Sequence, residues 1–75
     1  IMKEADQPAL DAMILAGAQA VEHYEITRYG TLVEWAREMG HAEAQRILSQ
    51  ILDQEKAADR KLTMIAEAQV NLRAQ

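Results

Sequence analysis

The chain contains no cysteine and no phenylalanine, and its only proline is Pro8. Without cysteine there can be no disulfide, no thiolate metal site and no iron–sulfur cluster. The aromatic residues are reduced to Trp35, Tyr24 and Tyr29, and alanine and other helix formers dominate. That composition leaves little material for strands, and the expected class is all-α. No apolar run approaches the ~20 residues needed to cross a bilayer. A basic block is also missing: acids and bases interleave to a net charge of −4, which argues against nucleic acid or an anionic membrane as the main partner. There is no Ser–His–Asp arrangement, glycine-rich phosphate loop or HExxH zinc motif, so no residue is singled out as catalytic. A cytoplasmic location is the default expectation for such a chain.

What is present is one small helical unit. With 75 residues, the chain is near the size at which a single core barely outweighs chain entropy, so a partner is expected. The opening Ile1-Met2-Lys3 resembles neither a natural start nor a signal peptide and reads as part of a longer polypeptide or a trimmed product. Asp6 or Gln7 before Pro8 is a helix-start signature, since proline at the first helical position loses no hydrogen bond. The pattern predicts one helix over residues 8–39 and a turn at 40–41 around Gly40, a residue suited to ending helices. A second helix follows over 42–72, with Glu43 near its positive end. Gly17 and Gly30 lie inside the first helix, each at a cost of about 1 kcal/mol relative to alanine, which a close neighbour or aromatic ring would justify. So short a connection folds the helices into an antiparallel hairpin.

Two apolar stripes run along these helices, and each is interrupted by an acid. In the second helix Ala44, Leu48, Ile51, Glu55, Ala58, Leu62 and Ile65 recur at helical spacing. The first carries Ile14, Ala18, Val21, Glu25, Tyr29, Leu32, Ala36 and Met39. An acid in such a seam must be neutralised, paired or metal-bound, because a lone buried carboxylate is costly. Used as a ruler, the hairpin places Glu25 opposite Glu55 and Glu22 opposite Asp59. Glu22 and Glu25 are three residues apart, Glu55 and Asp59 four, and both spacings share a helix face. Four carboxylates are therefore expected at one level, about midway along both helices. They would raise one another's pKa unless cations enter, and their hard oxygens suit iron, manganese, magnesium or calcium. Arg28, Lys56 and Arg60 offer a plainer outcome as ion-pair partners. His23 points about 100° away from Glu22 around the helix and reads as a surface or outer-shell group, His41 as a turn residue. Tyr24 and Tyr29 read as core or interface rings, and Trp35, Leu32 and Met39 as packing near the turn.

At Asp11-Ala-Met-Ile-Leu-Ala-Gly-Ala-Gln19, Val21-Glu-His-Tyr-Glu-Ile26, Tyr29-Gly-Thr-Leu32, Glu55-Lys-Ala-Ala-Asp59 and Lys61-Leu-Thr63, the chain resembles the YciF branch of the YciE/YciF family of stress proteins. The resemblance implies a ferritin-like four-helix bundle of which this chain matches the second half, with the bundle completed by dimerisation or by an N-terminal half. It also implies a dinuclear metal centre, with iron expected and manganese as the substitute. Glu25 and Glu55 would be principal ligands, and Glu22 and Asp59 terminal ligands or outer acceptors. The implied chemistry is oxidation of ferrous iron by oxygen or peroxide. Glu22 and Glu25 match the paired glutamates of rubrerythrin-like relatives. The second helix departs from the Glu-x-x-His pattern of ferritin-like sites: Ala58 stands where the histidine would be. The competing expectation is a non-catalytic helical oligomerisation module whose acids bind basic groups or disfavour wrong pairings. Under either reading self-association is expected, most simply as a two-fold homodimer of hairpins.

Overall fold

A computed structural model describes residues 7–74. The backbone forms two helices, α1 over Gln7–Glu38 and α2 over Ala42–Ala74. Gln7 opens α1; Asp6, the other expected start, lies outside the described residues. The helices pack side by side as an antiparallel hairpin, and no strand occurs among the described residues.

The turn follows from Gly40. Its φ of 73° lies in the left-handed region, where a Cβ would be strained. The His41 amide donates to the Ala36 carbonyl at 2.9 Å and the Gly40 amide to the Arg37 carbonyl at 3.1 Å. This is the two-bond arrangement by which a left-handed residue caps a helix C-terminus. The His41 carbonyl then accepts from the Gln45 amide at 2.9 Å, so His41 serves as the N-cap backbone of α2, a turn role as expected. Ion pairs Arg37–Glu34 and Arg46–Glu43 flank the turn on the two helices.

The hairpin measures 54 × 27 × 12 Å and is one helix thick. A single layer can bury a seam but not a core, and among the described residues only the apolar Ala36 is fully buried, at 4% exposure. Along α2 the expected stripe holds at Leu48, Ile51, Glu55, Ala58 and Leu62, all half-buried, while Ala44 and Ile65 are exposed. Along α1 the expected stripe holds at Ala18, Glu25, Tyr29, Leu32 and Ala36, with the buried side extended toward one flank. Leu15, Glu22, Ile26 and Val33 are half-buried, whereas Ile14, Val21 and Met39 are exposed. A hydrophobic stripe reports the mean direction of all of a helix's neighbours, and in this hairpin α1 has only one. Trp35 and Met39, expected to pack near the turn, are exposed, as is Tyr24, while Tyr29 and Leu32 are half-buried. Gly17 and Gly30 face open space, so within the hairpin neither admits a close neighbour or ring.

Replacing Gly40 by alanine keeps the turn atoms but forces a Cβ into the left-handed conformation. Urea denaturation is expected to show Gly40→Ala destabilised by about 1 kcal/mol; a neutral effect would mean that the turn relaxes without the left-handed residue.

Candidate metal centre

The seam brings one pair of the acids together, and it is not one of the pairs the ruler gave. The Glu22 and Glu55 carboxyls are within hydrogen-bonding reach of one another, and Glu22 Oε2 is buried without a hydrogen-bond partner. Two carboxylates can share a hydrogen bond only if one of them carries a proton. The contact with Glu22 accordingly raises the Glu55 pKa, with burial and the Glu22 charge adding to the effect. One ionised pair in this place repels itself; one proton or one cation resolves the repulsion.

Asp59 belongs to a different group. His23 Nε2 lies 2.8 Å from Asp59 Oδ1, and Gln19 Nε2 donates to the same oxygen at 3.3 Å and to Thr63 Oγ1 at 2.8 Å. His23 is a surface group as expected, its side chain 62% exposed, and its ring reaches across to Asp59 on the other helix. Glu25 is half-buried one turn along α1 from Glu22 and makes no hydrogen bond or ion pair within the hairpin. The ruler was correct to within about a turn, and a one-turn stagger is enough to exchange partners on a face with a 3.6-residue period. Gln19, His23 and Thr63 are the contributors that the acid pattern alone passed over. Their signal was present in the spacing, since Gln19 and His23 are four apart on α1, as are Asp59 and Thr63 on α2.

Among the described residues no ion pair joins Arg28, Lys56 or Arg60 to these acids, so the plainer outcome is absent from the hairpin. Nor do any three His, Asp or Glu side chains among the described residues stand close enough together to hold a metal ion. The donor set nevertheless fits a hard cation in part. The Glu22–Glu55 pair offers clustered oxygens, one of them buried and unpartnered, and Glu25 lies one turn away.

All of residues 1–75 match the family described as Domain of unknown function (DUF892). The chain is 48% identical over 65 residues to Protein YciF of Escherichia coli (strain K12), a match covering 87% of this chain and 39% of that protein. It is also similar to the solved structure of YcfI, a candidate structural protein of Rhodopseudomonas palustris, with a TM-score of 0.74 and 54% identity over 84% of this chain and 38% of that one. The chain therefore spans about two-fifths of the length of each relative. No helix among the described residues is long and apolar enough to cross a membrane.

Two outcomes follow from this geometry. A raised carboxyl pKa means that the folded state binds a proton more tightly than the unfolded one, so its stabilising effect is present at low pH and is lost as pH rises through the raised value. Thermal denaturation from pH 4 to pH 8 should show Glu55→Gln melting higher than wild type at neutral pH, with the gap closing on acidification. Across the seam, Gln19→Ala removes the amide that ties Asp59 to Thr63 and is expected to cost about 1 kcal/mol in urea denaturation.

Proposed function

The chain belongs to the DUF892 family, and on that premise we propose that it is the C-terminal half of a ferritin-like domain whose seam acids take part in a carboxylate metal centre. The observation that carries this reading is the Glu22–Glu55 contact: two acids face one another in an apolar seam, with Glu22 Oε2 buried and unpartnered. A leucine at either position would pack without that cost, so the pair is explained better by a ligand than by packing.

In this reading Glu22 and Glu55 supply the central oxygens and Glu25 a further one from the flank. Asp59 is an outer acceptor, oriented by Gln19 and His23. Iron, or manganese in its place, would supply one-electron chemistry toward oxygen or peroxide when bound. The chain's own part is to hold carboxylates close together in an apolar seam and to release the proton shared between Glu22 and Glu55 as the cation enters. The remaining ligands come from outside the hairpin, because the seam offers no third donor to the pair. Similarity to YciF is the support for association with stress. A second reading, a helical module without metal, draws support from the similarity to YcfI and from the absence of any three-donor group among the described residues.

Elemental mass spectrometry on the natively purified protein, with Glu22→Ala and Glu55→Ala alongside, separates the two. Iron or manganese in the wild type and loss of most of it in both variants is the result expected. Equal metal content in all three, or none after anaerobic ferrous loading, would leave the structural module as the account.

A further inference from the structure

Side chains of α2 that end in oxygen donors recur at a constant step of four residues: Glu55, Asp59, Thr63 and Glu67. Each step advances about 6 Å along the helix and turns about 40° beyond a full circle, so the row winds out of the seam instead of following it. Glu55, Asp59 and Thr63 are accordingly half-buried and Glu67 is exposed. The row joins the Glu22–Glu55 pair to the surface, on the flank opposite to the one where Val21 and Ile65 are exposed.

α1 lines the same path. Gln19 bonds to both middle members of the row through Nε2, reaching Asp59 Oδ1 at 3.3 Å and Thr63 Oγ1 at 2.8 Å, so its Oε1 is a further acceptor between them. His23 also takes Asp59 Oδ1, which leaves Oδ2 as the oxygen open to a visitor. At the outer end Gln19, Thr63, Glu67 and Asn71 line a cavity of about 240 Å³, space enough for a cation that keeps several of its waters. Lys56 and Arg60 are exposed, about 100° and 140° around α2 from Glu55. Positive charge therefore stands over the direct approach to Glu55 and Asp59, and the Glu67 end is the approach left to a cation.

We infer that this row of oxygens is the entry route by which a hydrated divalent cation reaches the Glu22–Glu55 pair, with Glu67 as its capture point and Thr63, Gln19 and Asp59 as stepping ligands. The cation exchanges water for one protein oxygen at a time and arrives where Glu22 Oε2 is buried and without a hydrogen-bond partner. Single oxygens spaced along a helix pass a hard cation on, because none of them supplies enough ligands to hold it. The absence of any three-donor group among the described residues suits a path, where retention would be a fault. The route rests on the metal reading above and adds Glu67 and Thr63 to the residues that reading uses.

The test is the rate of Mn²⁺ uptake by the natively purified, metal-stripped protein, followed by loss of the free Mn²⁺ electron paramagnetic resonance signal after rapid mixing, with the amount bound at equilibrium measured alongside. Glu67→Gln is expected to slow uptake about tenfold at low ionic strength, with the difference shrinking in high salt. Thr63→Val removes an oxygen without changing charge and should also slow uptake, and both variants should reach the wild-type amount of bound Mn²⁺. Glu43→Gln removes the same charge near the turn and should leave the rate unchanged. Wild-type rates in Glu67→Gln and Thr63→Val would overturn the route and leave the Glu22–Glu55 centre standing, as would equal slowing by Glu43→Gln, which reduces the effect to net charge. A lower final content in Glu67→Gln would make Glu67 a resident ligand and overturn its passing role. A wild type that binds no Mn²⁺ would overturn the metal reading and the route with it.

Discussion

The contact between the Glu22 and Glu55 carboxyls sets the terms for the rest of the hairpin, because two acids can share one seam only with a proton or a cation between them. The raised Glu55 pKa and the unpartnered Glu22 Oε2 are two expressions of that constraint. Around the pair the seam is made of small and aliphatic side chains, Ala18, Ile26, Ile51 and Ala58, which offer no hydrogen bond to an ionised oxygen. The protein environment therefore leaves the repulsion standing. Whatever relieves it gains binding free energy from folding that has already placed the oxygens.

The second constraint is thickness. A layer 12 Å deep cannot enclose side chains from both faces, and α1 has apolar residues well beyond the seam that α2 covers. Apolar character that wraps so far around a helix marks one with several neighbours. α2 is more strictly divided, with Arg46, Asp53, Arg60 and Lys61 exposed away from the seam.

These features were unequally legible in the sequence. The helix limits, the turn at Gly40 and the antiparallel fold could be read because proline, glycine and the apolar period are local signals. The α2 stripe was legible through Glu55 for the same reason. The α1 stripe was legible at Ala18, Glu25, Tyr29, Leu32 and Ala36 but not at Ile14, Val21 and Met39, which lie on a flank that α2 does not cover. That acids lie in the seam was legible, but which of them meet was not. Glu25 and Glu22 lie one turn apart, and a one-turn stagger between helices decides which of them meets Glu55. Residue numbers counted from a turn do not resolve that stagger.

The seam acids also bear on the choice between a ligand site and a device for register. An acid pair can fix pairing by penalising alternatives, and a polar residue in a coiled-coil seam is the best-attested example. In this hairpin register is already held by satisfied groups: Gln19 reaches both Asp59 and Thr63, and His23 reaches Asp59. A slip along the helices would break all of these contacts. The Glu22–Glu55 contact adds a penalty to the correct register as well as to wrong ones, and so contributes little discrimination. A group that destabilises its own fold, in a place where specificity is otherwise provided, is of the kind expected where function departs from local stability. Binding a cation is the role in which the proximity of the two carboxyls becomes favourable.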